Sequence, residues 1–336
     1  SVRNCLLILN SAAVKGGGLW SQSPASVENC TAIRNSAPSG GGIVVNWASV
    51  TNNIAYDNTQ DNFWFYAADM NYSCTTPDPG GVSNVVADPL FVNPLADDCR
   101  LCPGSPCLDA GTNKGWMAGA TDLVGESRII GPRADMGAYE YRQGALACSF
   151  SGAPRQGVTP LQVVFAAAVD GTNLTGLGYA WDYTTDGLDD VSGPACQTVT
   201  NIYPALGAYT VTLTVTNGGG ETASFSRVGY VRAGPLTTYV ATDGGHSFPY
   251  TNWTAAATNI QAAVDVATDG TLVRVSNGTY SVTSQVMVAN GVRVRSENGA
   301  GLTTVRRSGG TARVFYIGHS NAVVDGFTIT NGYETT

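Results

Sequence analysis

Apolar and polar positions follow three different rhythms along this chain. In the first segment short blocks recur: Ser1-Val2-Arg3-Asn4-Cys5 returns as Ser26-Val27-Glu28-Asn29-Cys30 and, more loosely, as Ser49-Val50-Thr51-Asn52-Asn53. Asn10-Ser11-Ala12 returns as Asn35-Ser36-Ala37, and Gly16-Gly17-Gly18-Leu19-Trp20 as Gly40-Gly41-Gly42-Ile43-Val44. The period of 23 to 25 residues fits one level of a parallel coil made of three short strands and three turns. Levels stack about 4.8 Å apart, so equivalent residues lie above one another. Val, Leu and Ile then fill the interior, Asn side chains bond along the stack at the bends, and the Gly triplets supply φ > 0 at a tight corner. The alternative, a leucine-rich or other β-rich solenoid, is disfavoured because the chain lacks the L-x-x-L-x-L pattern.

From about residue 145 the period shortens to alternation. Leu161–Phe165, Tyr179–Tyr183 and Tyr209–Asn217 read as strands of a β-sandwich. The last segment opens with one helical pattern over Thr258–Ala267. Ile260, Ala263, Val264 and Ala267 share a face, Thr258 is placed to cap it, and Gly270 stops it. Strands follow at 271–275, 286–288, 292–295, 313–317 and 323–332.

Composition narrows the function classes. The 336 residues carry a net charge of −8, only 12% charged residues, and 41 glycines. No basic stripe exists to neutralise phosphates, so nucleic acid is not an expected partner. No run of 18 apolar residues is present, so membrane insertion is not expected. Eight cysteines with two lysines and many Thr and Asn suggest an extracellular or cell-surface protein. The first residue is Ser, as in a processed or excerpted chain.

Three ordered motifs carry a resemblance: Asp88-Pro89-Leu90-Phe91-Val92-Asn93, Pro103-Gly104-Ser105-Pro106-Cys107-Leu108-Asp109-Ala110-Gly111, and Asp135-Met136-Gly137-Ala138-Tyr139-Glu140-Tyr141. They resemble the C-terminal region of secreted bacterial right-handed parallel β-helix repeat proteins of the choice-of-anchor Q type. That resemblance implies that residues 85–142 finish and cap a β-helix. Asn277-Gly278-Thr279-Tyr280, Ser296-Glu297-Asn298-Gly299 and Gly326-Phe327-Thr328-Ile329-Thr330-Asn331-Gly332 are similar to the opening of the same family. Thr159-Pro160-Leu161, Trp181-Asp182, Tyr203 before Gly207, and the 209–217 strand resemble a PKD domain. Such modules in secreted proteins are spacers or binding accessories.

The expected fold is therefore all-β: right-handed parallel β-helix segments flanking an immunoglobulin-like (PKD) β-sandwich. Residues 1–142 are read as the C-terminal rungs and cap, 145–233 as the sandwich, and 236–336 as the N-terminal capping helix and first rungs. Placed in family order, the last segment leads into the first. The expectation is an extracellular structural protein that joins further copies of itself head to tail, as separate chains or as repeats of one long protein. Val2, Leu6 and Ile8 would meet Val324, Phe327 and Ile329 across the junction. The alternatives are a surface module that binds polysaccharide and a β-helix lyase or glycosidase. Trp20, Trp47, Trp64, Tyr66 and Trp116 are candidate sugar platforms, but inward packing explains them equally well.

Catalysis is not expected. Glu28, Asp57, Asp61 and Asp69 form no carboxylate pair one level apart, and His246 and His319 have no nucleophile motif beside them. No cofactor is expected; calcium at Asp182, Asp186, Asp189 and Asp190 is the one candidate, and a solvated acidic turn is the favoured reading there because the closing Glu of an EF-hand is missing. Among the cysteines, Cys5 and Cys30 lie one period apart and read either as a disulfide or as stacked thiols. Cys148 and Cys196 are expected to bridge. Cys74, Cys99, Cys102 and Cys107 suit two disulfides of open pairing better than a zinc site, because a second C-x₂-C is missing.

Overall fold

The computed structural model describes residues 1–22, 25–66, 69–184 and 186–333. It is all-β apart from one short α-helix and two 3₁₀ turns among those residues. The chain divides into two compact units. The first comprises Ser1–Phe150, Ala167–Gly178 and Leu213–Phe225; the second comprises Ser151–Ala166, Tyr179–Thr212 and Ser226–Thr336.

In the first unit the repeat becomes a stack. Strands β1 (Val2–Arg3), β2 (Leu6–Ile8) and β3 (Leu19–Gln22) recur as β4 (Ser26–Glu28), β5 (Thr31–Ile33) and β6 (Ile43–Asn46). They recur again as β7 (Ser49–Thr51), β8 (Ile54–Tyr56) and β9 (Phe63–Tyr66), then β10 (Asp69–Asn71) and β11 (Cys74–Thr75). Counterparts pair in the orders β1-β4-β7-β10, β2-β5-β8-β11 and β3-β6-β9, all parallel. Register puts Val2, Val27, Val50 and Met70 in one column and Leu7, Ala32 and Ala55 in another, facing a common apolar interior.

The bends explain the polar half of the repeat. Asn4, Asn29, Asn52 and Tyr72 are left-handed (φ 50°, 50°, 60° and 49°) between first and second strands, where the chain must turn within two residues. Asn tolerates that conformation better than most residues. Asn35 Oδ1 accepts from Asn10 N, and Asn58 Oδ1 from Asn35 N, both at 2.9 Å, so the expected Asn ladder is present. Only the first Gly of each triplet, Gly16 and Gly40, has φ > 0. The second is required by close approach: a Cβ on Gly41 would lie 2.3 Å from the Thr59 carbonyl of the next level.

Residues 85–142 are not simply a lid on the stack. Val82 and Val85 do lie along the outermost level, Tyr72 N–H donating to Val82 O and Val85 N–H to Ser73 O at 2.9 Å each. The remainder, including the hairpin β12 (Phe91–Asn93) and β13 (Asp98–Leu101), forms a strap down the outer flank of the β2-β5-β8-β11 sheet. Asn52 Nδ2 donates to Thr112 O (2.8 Å), Asn29 Nδ2 to Asp135 O (3.2 Å), and Gly137 N to Asn52 O (2.8 Å). Gly137 is left-handed, and a Cβ there would lie 2.8 Å from Ile54 Cδ1. Leu6, Ile8, Ile33 and Ile54 thereby pack against Phe91, Leu101, Cys107 and Met136 on this outer side.

The middle segment forms β14 (Ala147–Ala153), β15 (Gln156–Val158), β16 (Leu161–Asp170), β17 (Gly178–Asp182), β18 (Val191–Gly193), β19 (Thr198–Tyr203), β20 (Gly207–Thr216) and β21 (Thr222–Gly234). These make two sheets, β14-β16-β19 and β15-β21-β20-β17-β18. Alternate residues Leu161, Val163, Phe165 and Ala167 of β16 are buried, as a half-buried strand requires. In the second unit Phe165, Trp181, Tyr183 and Tyr230 pack as a ring cluster.

The second unit ends in another parallel stack: β22 (Thr237–Val240), β23 (Leu272–Val275), β24 (Gly278–Val282), β25 (Val286–Val288), β26 (Arg293–Ser296), β27 (Thr303–Arg307), β28 (Phe315–Ile317), β29 (Val323–Asp325) and β30 (Thr328–Thr330). Its columns are β22-β23-β26-β29, β24-β27-β30 and β25-β28. The helix α1 (Ile260–Val266) contributes Ile260, Ala263 and Val264 to this core. Its cap is Asn259, whose side chain accepts from Ala262 N at 2.8 Å, rather than Thr258, which contacts His246 Nδ1 instead.

Candidate functional site

The outermost strands of the two stacks share one local design. In the first unit Val27-Glu28-Asn29-Cys30-Thr31-Ala32-Ile33-Arg34 runs strand, left-handed residue, one spacer, strand, left-handed residue, with Arg34 at φ 53°. The edge level Val2 to Leu9 repeats it, Leu9 having φ 56°. In the second unit Val323–Asp325, Gly326 (φ 81°), Phe327, Thr328–Thr330 and Asn331 (φ 62°) follow the same spacing. The third strand starts 13 residues after the second at β2–β3 and 12 after it at β27–β28. The likeness is between these edge levels: inner levels vary, with six residues between β26 and β27 and two between β23 and β24.

Interior columns carry this equivalence to the edges. Val324 stands over Val294 and Val273, and Ile329 over Val305 and Tyr280. Ile329 is 51% exposed at the open end of its core. By position Val324 matches Val2, Phe327 matches Cys5, and Ile329 matches Leu7. Leu7, not Leu6 or Ile8, is thus the interior residue of β2. Leu6 and Ile8 point to the opposite face, because successive strand residues alternate sides, and they serve the strap. Of the six expected junction residues, Val2, Val324, Phe327 and Ile329 face a stack interior.

Charge at the edges alternates. Arg3 Nε meets Glu28 Oε2 at 2.7 Å, and Arg293 Nη2 meets Asp325 Oδ2 at 2.6 Å. The guanidinium beside it holds the Asp325 carboxyl below its ordinary range. Asp325 matches Arg3 by position, so the two edges present opposite charges at one register. The third column of the second unit ends one strand short of the others. Above β28 lies a hollow of about 460 Å³ lined by Arg313, Val314, Phe315, Ile329, Gly332 and Tyr333.

The other expected sites are spent on structure. Asp182 Oδ1 accepts from Thr184 N, Asp186 Oδ1 from Leu188 N at 2.9 Å, and Asp190 Oδ2 from Tyr183 N. Asp189 is exposed in the same loop. Among the described residues no group of three or more His, Cys, Asp or Glu is arranged to hold a metal ion. In this conformation the carboxylates of Asp182, Asp186 and Asp190 cap turns. His246 Nδ1 accepts from Thr258 N and His319 Nδ1 from Asn321 N.

All eight cysteines are free thiols in the structure. The bridge expected between Cys148 and Cys196 is not formed. Cys148 Sγ faces the Ala223 carbonyl at 3.4 Å, while Cys196 follows β18 in a turn whose carbonyl takes the Trp181 indole N–H at 2.8 Å. Cys99 is buried within β13 and Cys102 directly after it.

Sequence reading missed one buried group. Arg128 is fully buried and meets Glu140 Oε1 at 2.7 Å, and it donates to the carbonyls of Asp135 and Gly137. Asp135 accepts from Asp109 N and Tyr141 N at 2.7 Å each. Burial pushes Glu140 up to about 8 and Asp135 to about 6. The Asp135-to-Tyr141 motif thus locks the strap. Nothing in its apolar setting, Ser127-Arg128-Ile129, marked Arg128 in advance.

These features define an all-β protein with parallel strand stacks and an immunoglobulin-like sandwich. Within it, residues 147–228 match the family model of the PKD domain. PKD domains commonly occur in extracellular proteins and are non-catalytic. No curated protein and no solved structure matches the chain. No helix among the described residues is long and apolar enough to cross a membrane.

Proposed function

We propose that this chain is an extracellular, non-catalytic structural protein whose two stacks are segments of right-handed parallel β-helix that join copies head to tail. The observation carrying this reading is the shared level design of residues 323–331 and residues 1–9. With β29 laid on β1 and β30 on β2, the strands are parallel and run in column order. Val324 meets Val2, Phe327 meets Cys5, Ile329 meets Leu7, and Asp325 meets Arg3. Apolar residues stack on apolar ones inward and opposite charges pair outward. A row of unpaired backbone groups at a sheet edge is itself a template for such pairing. The third column keeps a one-strand gap at the hollow beside Ile329. A contact between different surfaces of identical copies propagates into a filament unless its rotation closes a ring.

Charge reversal tests the register. Arg3→Asp and Asp325→Arg should each weaken self-association by roughly 0.5–1 kcal/mol, and the double variant should recover it. Sedimentation velocity at low salt reads the effect. Equal sedimentation of all four proteins would reject the register.

One observation favours a second reading as a polysaccharide-binding surface. Trp20 and Trp64 flank the buried Val44 in register, and Lys15 Nζ lies 5.5 Å from the Trp20 ring and 5.8 Å from the Trp64 ring. Trp20 is 47% exposed.

A further inference from the structure

Eight cysteines allow 105 complete pairings, which the sequence cannot sort. The geometry sorts them. Cys5 and Cys30 occupy adjacent levels of one column, since Leu6 is in register with Thr31 and Thr31 N–H donates to the Cys5 carbonyl at 2.9 Å. Neighbouring strands lie about 4.8 Å apart, inside the range of Cα separations that a disulfide spans. Both thiols turn the same way: Cys5 Sγ toward the Arg3 carbonyl at 3.1 Å, Cys30 Sγ toward those of Glu28 at 3.4 Å and Val2 at 3.8 Å. The Cys5 thiol lies close enough to Cys30 to add to the rise that burial imposes on it. Cys74 and Cys107 are both fully buried in the one apolar cluster that joins the stack to the strap, and the Cys74 thiol adds to the rise that burial imposes on Cys107.

We infer that the protein carries two disulfides, Cys5–Cys30 and Cys74–Cys107. The first fastens the outermost level of the stack, whose far edge is unpaired, to the level behind it. The second fastens the stack to its strap across the sheet flank. The oxidant is a small-molecule disulfide such as oxidised glutathione. One cysteine thiolate attacks it, forms a mixed disulfide and expels one glutathione thiolate. The neighbouring cysteine thiolate then attacks the protein-side sulfur and expels the second. Both protons pass to the leaving thiolates, so two protein thiols are oxidised and one disulfide is reduced. Burial pushes Cys30 up to about 12 and Cys107 well above its ordinary value, which leaves little thiolate in the folded chain. Exchange therefore belongs to folding, before the pairs are enclosed.

The test is to refold the chain in a reduced and oxidised glutathione buffer, alkylate it while denatured without reductant, and map tryptic peptides by mass spectrometry. Cleavage after Arg3, Lys15 and Arg34 separates Cys5 from Cys30; cleavage after Arg100 leaves Cys74 with Cys99 and Cys107 with Cys102, so fragmentation of the linked peptides locates the bonded cysteines. Linked Asn4–Lys15 and Gly16–Arg34 peptides and a Cys74–Cys107 link are expected. Alkylation of these four cysteines in bulk, or links to other partners, would overturn the pairing. Reduction should also lower the melting midpoint by roughly 5–15 °C. A Cys5→Ser, Cys107→Ser double variant should melt near the reduced wild type and ignore reductant. An oxidised wild type that melts unchanged after reduction contradicts both bonds.

Discussion

Asn52 concentrates three tasks in one side chain. It sits left-handed at a bend, its Nδ2 reaches Asn29 Oδ1 at 3.2 Å one level away, and it exchanges two hydrogen bonds with the backbone of Thr112 in the strap. It is fully buried, so losing these partners leaves backbone groups unsatisfied. Asn52→Ala should cost about 2–4 kcal/mol, combining those bonds with the left-handed strain of a Cβ residue. Asn52→Gly should cost about 1 kcal/mol less, because glycine removes the strain and keeps only the hydrogen-bond loss. Urea unfolding of both variants checks the difference. Equal losses would show that the backbone conformation contributes nothing.

At the scale of elements, legibility followed the visibility of the period. The sandwich strands, the α1 face and the stacking of Ser1–Cys5 on Ser26–Cys30 were readable, because alternation and repetition are local. The orientation of β2 was not. Leu6, Leu7 and Ile8 are all apolar because the interior covers one face and the strap the other, so the alternation that would reveal direction is absent. The course of the strap was not legible for a related reason: its Pro and Gly residues report irregular backbone, not the flank that Asn29 and Asn52 offer it. Its lock has a pH signature. Glu140 and Asp135 bind protons more tightly folded than unfolded, so folding takes up protons between the ordinary carboxyl range and about pH 8. Stability of the first unit should therefore be greatest near the acid end of that window, fall as pH rises through it, and level off above pH 8. Urea melts at several pH values measure this; stability that climbs across the window would mean both carboxyls are ionised against Arg128.

For the whole molecule, β1 to β3 in the first unit and β28 to β30 in the second each pair with a strand on one side only among the described residues. Their edge levels share left-handed positions and inward residues, and their charges at Arg3 and Asp325 oppose. Closing one such edge onto the other satisfies backbone groups and covers Ile329 and Leu7 together, which neither stack achieves by itself. The most direct measurement is negative-stain electron microscopy of the purified full chain in an oxidising buffer at low salt. Filaments, or rings, in which each chain contributes one axial repeat are the predicted result; a field of separate single-chain particles at every concentration would contradict the account.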